Sequence, residues 1–353
     1  MVCYFAQIFI ALDSLSQIVL GAAVGEIALG KKIGNKAQLI GAIAGTIPDL
    51  DILLNPFFTD EIFKLQIHRG YSHSMFVHLL LAIPFAWMCY RIFKRQYTFR
   101  MWYVVWYLCF LTHTLLDCCT TYGTQLFLPF TNYMVGFDNI SVVDPFWTFP
   151  FMICLIVCLF LRRENHRRIR WAWMGVLWCF LYMGYTCMNK HTVHQHITSE
   201  LERQHIKVDD IDTPPSIFNN WLWGGVATTP DTLWVCEYSV LQQESEVEWV
   251  PFERNEHLLT NHPAQDIIKV LKWFSQGKYI VREVDGELHF FVCKWGRGWS
   301  TDTEAHKAFF WYFEIVNENG NWVGRPVEPE MQEGQIGVLW KALWKRVVTS
   351  KVD

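Results

Sequence analysis

The chain has 353 residues, enough for two domains. It is 52% hydrophobic with a net charge of −4, and it shows no basic patch interleaved with aromatic side chains, which excludes a nucleic-acid-binding module. Most of its 11 cysteines, among them Cys89, Cys109, Cys154, Cys158, Cys179 and Cys187, fall at irregular spacing inside apolar runs, as core or lipid-facing residues do and a disulfide framework does not.

The opening MVCYFAQIFIAL is apolar but has neither a basic n-region nor a small-residue cleavage site. It reads as a lipid-contacting lead-in or an upstream extension rather than a signal peptide. Residues 14–30 are apolar and rich in small residues, with Gly21, Ala22, Ala23 and Gly25 suited to close helix packing. A basic loop from Lys31 to Lys36 follows, then an apolar stretch at 37–47 that stops at Pro48. Further apolar runs cover 75–93, 101–117, 149–161 and 171–188. Each lies near the lower limit of about 17–25 residues for crossing a bilayer, and the shorter ones suit tilted, re-entrant or internally buried segments. The expectation is a polytopic α-helical membrane bundle of about six segments over residues 1–188.

If the segments alternate, the loops at 31–36, 91–100 and 162–170 share one face and hold twelve Lys and Arg against a single Glu164. The loops at 48–74 and 118–148 hold only Lys64 and Arg69. The basic face is therefore expected to be cytoplasmic and the opposite face to look outward.

From Asn189 onward charges are spread throughout. Leu233–Tyr238, Tyr279–Glu283, Leu288–Cys293 and Ala308–Ile315 read as strands, with turns at Asp285-Gly286 and Asn319-Gly320 and helices over 265–275 and 335–348. The last helix is amphipathic and suits its own core or a membrane surface, the former being commoner. Residues 189–353 are expected to form a soluble α+β domain on the outer side.

Polar clusters sit at the edges of the apolar segments. His68-Arg69-Gly70-Tyr71-Ser72-His73-Ser74 places two imidazoles, an arginine and hydroxyls on a Gly-containing turn, able to point at one metal ion while Arg69 and Ser72 face an anion. Pro48-Asp49-Leu50-Asp51 puts two carboxylates after a helix-ending proline, which taken alone is a solvated helix terminus. His113 and Asp117 are four apart on one helix face, equally a plain His–Asp hydrogen bond. Asp13 and Gln17 share that spacing, and Asp13 also suits an N-terminal cap. Glu26 lies well inside an apolar helix, where neutral burial competes with function. His191, His194 and His196 read as a solvated run in a linker, and His78 and Pro84 as packing features. The agreement of His68, His73, Asp49, Asp51, His113 and Asp117 on one face argues for a shared site, with Asp13 or Glu26 as additional ligands. Mixed imidazole and carboxylate ligation suits Zn²⁺, Mn²⁺ or Fe²⁺, and there are enough ligands for one or two ions.

The runs DSLSQIVLGAAVGE, GTIPDLD, HRGYSHS and THTLLDCCTTYGTQLFLPF, in this order over about residues 12–190, resemble the YdjM-type family of predicted membrane-bound metal-dependent hydrolases (the DUF457 group). The resemblance implies a polytopic protein of the bacterial cytoplasmic (inner) membrane with a His/Asp metal site. By motif, the family's polar positions fall on Asp49, Asp51, His68, Arg69, His73, His113 and Asp117. The chain departs from the family at Gln17, where many relatives carry His, and at Cys118-Cys119.

The leading expectation is a membrane-embedded metallohydrolase opening near the outer headgroups. Asp49, Asp51 or Asp117 ligate or act as base, and Arg69 and Ser72 hold an anionic group such as a lipid phosphate. Membrane lipid and a small-molecule or lipid substrate are the expected partners. The alternative is a metal-ion transporter or a non-catalytic scaffold. The ionisable residues gather at one end, Glu26 apart, which favours the enzyme.

Overall fold

Two pairs of glycines set the first contact of the fold. The computed structural model describes residues 4–242, 247–297, 304–309, 311–327 and 335–349, with the main chain alone at 4–13, 307, 335 and 336. Helix α1 (Tyr4–Ile33) turns at Gly34, φ +63°, into α2 (Lys36–Thr46). A Cβ built on Gly21 would fall on the Gly41 carbonyl oxygen, one on Gly25 on that of Ala37, and one on Gly45 on that of Gln17. Spacing of four puts each pair on one helix face, and bare backbone lets the two helices approach closely.

Pro48 ends α2 and opens a 3₁₀ segment, Pro48–Phe57, with Asp49 and Asp51 in its first turn. After α3 (Glu61–Ile67) and a 3₁₀ turn at Tyr71–His73, α4 (Met75–Ile92) starts from Ser74, whose hydroxyl accepts from the Phe76 and Val77 N–H groups. α5 (Phe99–Asp117) is capped by Thr98, α6 (Pro145–Phe160) by Asp144, and α7 runs from His166 to Arg203. Ala82, Ala86 and Cys89 of α4 meet Trp102, Trp106 and Phe110 of α5, small against large, in the buried core of this region.

The chain divides into two units, Met1–Phe57 with Ile67–Tyr185, and Phe58–Gln66 with Thr186–Asp353. The first is mostly helical, but it is not the six-segment membrane bundle expected from the apolar runs. Among the described residues, α4 alone is long and apolar enough to cross a membrane. α2 and the 3₁₀ segment, bent by 45° at their junction, pass the same test only if taken together as one span. Each apolar run falls in a helix, and those at 37–47, 75–93 and 101–117 match α2, α4 and α5 to within two residues, but most of these helices do not meet the requirements of a span. α6 has 16 residues, a rise of about 24 Å against a hydrocarbon core of about 30 Å. α5 carries Arg100, His113 and Asp117 among its Trp and Tyr residues. Residues 171–188 are the middle of a 38-residue helix with arginines in its first turns and histidines in its last.

The second unit contains two four-stranded antiparallel sheets. One runs β1 (Asp210–Asp212), β2 (Leu222–Thr228), β3 (Thr232–Ser239), β4 (Val250–Glu253). The other runs β5 (Tyr279–Val284), β6 (Glu287–Val292), β7 (Tyr312–Glu318), β8 (Asn321–Val327). Ala308 belongs to a short helix, α9 (Ala305–Ala308), and not to a strand. α8 (Gln265–Phe274) precedes the second sheet. Leu343 and Val347 of α10 (Gln335–Thr349) pack with Leu222, so this helix joins its own unit's core. The stretch with His191, His194 and His196 is helical, because Val193, Ile197 and Leu201 at spacing four bury against Trp223, Ala227 and Tyr238.

A candidate metal centre

The α1–α2 seam also fixes the floor of the site. With Gly45 pressed onto α1, its carbonyl oxygen accepts a hydrogen bond from His113 Nδ1 at 2.7 Å. A carbonyl can only accept, so His113 carries its proton on Nδ1 and presents the Nε2 lone pair. His73 is set the same way from the other side. Ser72 Oγ donates to Asp51 Oδ2 at 2.7 Å and accepts from His73 Nδ1 at 2.9 Å, leaving His73 Nε2 to face inward. The two Nε2 atoms are 3.0 Å apart.

Two carboxylates close on the same point. Asp117 Oδ2 lies 3.0 Å from His73 Nε2 and 3.3 Å from His113 Nε2, and Asp49 Oδ1 lies 3.3 Å from each. One ligand atom from each of Asp49, His73, His113 and Asp117 falls within 4.8 Å of all the others. This group could hold a divalent cation, and its two nitrogens and two oxygens match the borderline transition ions rather than Ca²⁺. The donor set also fits by its charge. Two lone pairs aimed at each other repel unless a proton or a cation stands between them. Burial opposes charge on His113, yet the carboxylates of Asp117 and Asp49 push it up to about 10, and they raise His73 against the same burial. Asp117 is held well below the usual carboxylate range despite burial, by Arg69 and His113.

Asp117 is shared between this centre and its support. Gln17 Nε2 donates to Asp117 Oδ1 at 2.7 Å, and Arg69 Nη2 lies 3.4 Å from the same oxygen, so Oδ2 is the one turned to the imidazoles. Arg69 is 2% exposed: it donates to Thr120 Oγ1 at 2.8 Å and stands over the Tyr122 ring. Its backbone is left-handed, φ +54°, a conformation that disfavours any residue with a Cβ. The conformation is held from both sides, by the Arg69 N–H donating to Asp51 Oδ2 at 3.0 Å and by the Gln125 N–H donating to the Arg69 carbonyl at 3.1 Å.

Of the residues singled out in the sequence, the structure gathers Asp49, His73, His113 and Asp117 into one centre. Asp51 and His68 stand one step back: His68 Nδ1 is 3.0 Å from Asp51 Oδ1, and Asp51 ties together the turn that presents His73. Arg69 and Ser72 do not face an open anion site, since their polar atoms serve Asp117, Thr120, Asp51 and His73. Glu26 is not brought to the centre. Arg168 holds it through two hydrogen bonds, at 2.6 and 2.5 Å, and Gln38 through a third, in a buried ion pair between α1 and α7. Asp13 lies in α1, where the structure describes its main chain alone. Gln17, Thr120, Tyr122 and His78 are supporting residues that the sequence did not single out for this role. His78 donates from Nε2 to the Ser72 carbonyl at 2.7 Å and so braces the turn. The one hint was position: Thr120 and Tyr122 follow Asp117 in the same motif, and Gln17 sits one helical turn after Asp13.

A sequence model of the family described as YdjM inner membrane protein matches residues 12–193, which takes in every member of the centre. The uncharacterized protein YfhP of Bacillus subtilis (strain 168) is 28% identical over 143 residues, 38% of this chain and 42% of that relative. The chain thus spans less than half the length of this curated relative. No solved structure matches the chain.

Proposed function

Because the chain belongs to the YdjM family of inner membrane proteins, we propose that it is a membrane-associated metal-dependent hydrolase whose centre is Asp49, His73, His113 and Asp117. The observation that carries this reading is the pair of inward Nε2 atoms, each fixed in tautomer by a hydrogen bond behind it, with two carboxylate oxygens beside them. A divalent ion held there, Zn²⁺ or else Mn²⁺ or Fe²⁺, supplies Lewis-acid activation of water and of an ester oxygen. The chain's residues divide the remaining work. His73, His113 and Asp117 are buried and held from behind, so they serve as fixed ligands. Asp49 is the fourth ligand and the one with solvent access, its side chain 17% exposed, and the carboxylate oxygen it does not turn to the imidazoles would take the proton of the attacking water. Arg69 and Gln17 hold Asp117, and Asp51 holds Ser72 and the His73 tautomer. The transporter alternative needs ionisable groups deeper in the helices, and Glu26, which filled that place, is locked to Arg168.

We also place the site on the outer side of the membrane. α4 leaves the site at Met75 and ends in the exposed Arg91, Lys94 and Arg95, and such basic ends stay cytoplasmic.

The test is hydrolysis of a phosphodiester and carboxylic-ester panel by the purified full-length chain, before and after chelation. Activity should vanish with EDTA and return with one of the three ions. Asp49→Asn should retain the fold and lose roughly 10²–10⁴-fold in rate, the usual contribution of a positioned base. Metal-bound protein inert towards every ester would refute the hydrolase reading.

A further inference from the structure

Resting on the hydrolase reading above, we propose that the centre takes its substrate from the bilayer: a phospholipid whose phosphoester lies at headgroup level, seated by an apolar rim around the turn that carries His73. Two segments form the rim. The 3₁₀ segment that carries Asp49 exposes Leu53 (62%), Leu54 (47%) and Phe57 (81%). The loop after α5 exposes Phe127 (39%), Phe130 (76%) and Phe137 (59%). Both segments are bonded to one residue: Asp51 accepts from the Arg69 N–H, and the Gln125 N–H donates to the Arg69 carbonyl. Both segments that carry these apolar side chains therefore adjoin the HRGYSHS turn.

Neither segment has a basic residue, and 126–137 has no charge of either sign, so nothing on this rim suits an acidic protein or a nucleic acid. Large apolar side chains clustered beside a polar centre mark a contact surface. What covers it follows from continuity with α4. Phe130 packs edge-to-face on Phe76, in the first turn of α4, at 4.9 Å. α4 is the helix long and apolar enough to cross a membrane, and its Leu80 and Ile83 are exposed along the same helix. The rim thus continues an apolar surface into the zone where that helix would leave the hydrocarbon, the level at which ester and phosphate groups of lipids lie. Asp49, the ligand with solvent access, belongs to the same ten-residue segment as Leu53 and Phe57. In the reaction the water oxygen bonds to phosphorus as the phosphorus–oxygen ester bond breaks, and the water's proton ends on the leaving alcohol; no oxidant or reductant is needed.

The test uses the full chain in vesicles of phosphatidylethanolamine and phosphatidylglycerol. A photoreactive p-benzoylphenylalanine replaces Phe57 or Phe130, with Glu287, exposed in the second unit, as reference. Lipid adducts at 57 and 130, roughly tenfold above those at 287, are expected. In parallel, the Leu53→Gln/Phe130→Gln double variant should keep its metal and its rate on soluble bis(p-nitrophenyl) phosphate, while its cleavage of vesicle phospholipid falls on the order of tenfold. Absence of lipid adducts at 57 and 130, adducts to protein instead of lipid, or equal loss on soluble and vesicle substrates would overturn the inference. If the wild type hydrolyses neither substrate, the hydrolase reading falls, and the adducts alone decide whether lipid sits at this rim.

Discussion

The behaviour of Asp117 illustrates how the centre is built at the scale of single residues. One oxygen is held by Gln17 and Arg69, and the other is thereby aimed at His73 and His113. HRGYSHS, PDLD and the His113–Asp117 pair are visible in the sequence as ligand-bearing motifs, but the division of labour within them is not. Asp49 and Asp51 look equivalent on paper; the turn sends one to the imidazoles and the other to Ser72 and the Arg69 amide. That sorting depends on Arg69 being left-handed, which contacts far away in the chain, at Thr120 and Gln125, enforce. Arg69 was read from the sequence as a substrate anchor, and its burial makes it a positioning residue instead. Arg69→Ala should cost about 3–5 kcal/mol, because it strands a buried carboxylate, and should weaken metal binding as well. Arg69→Lys should recover only part, since an ammonium cannot reach Thr120 and Asp117 with one planar fork. Thermal melts and metal titrations of both variants decide this; an Arg69→Ala protein with unchanged stability and metal affinity would return the residue to the substrate.

Between elements, the sequence announced the α1 half of the glycine seam, Gly21 and Gly25, but not its α2 half, which carries Gly45, the acceptor for His113. Gly41→Ala should push the helices apart and destabilise by about 1–3 kcal/mol. Gly184 in α7 is exposed with nothing within 4 Å of a built Cβ, so Gly184→Ala should be neutral or stabilise by up to about 1 kcal/mol. Equal effects of the two substitutions on melting temperature would contradict the seam. In the second unit the hairpins at Asp285-Gly286 and Asn319-Gly320 lie where their dipeptides place them, with both residues of each pair at positive φ as a type I′ turn requires. β1 and β8 were not read as strands, and neither were β2 and β4. Gly224 and Gly225 interrupt one and Pro251 the other, and a Cβ at Gly225 would collide with Cys236 of the next strand, so packing rather than propensity makes these strands. α7 was missed beyond residue 188 because the spacing of Val193, Ile197 and Leu201 is diluted by histidines on its other faces.

For the whole molecule, counting apolar runs overstated the number of spans: the runs are helical, but several of the helices are too short or too polar for the bilayer. Counting loop charges also included Arg168, which is 2% exposed and neutralised by Glu26, so it carries no topological information. The exposed Arg91, Lys94 and Arg95 remain, and they predict that, in a cysteine-free background, a cysteine at position 60 is labelled from outside intact cells and one at 94 is not. The reverse pattern would invert the orientation. The central claim is that Asp49, His73, His113 and Asp117 hold a divalent ion, and elemental analysis of the purified full-length chain, loaded in turn with Zn²⁺, Mn²⁺ and Fe²⁺, tests it most directly. His191→Ala, on an exposed turn of α7, should carry the same metal as the wild type, and His73→Ala should carry almost none. A wild type that retains none of the three ions, or a His73→Ala protein that retains as much as the wild type, would contradict the account.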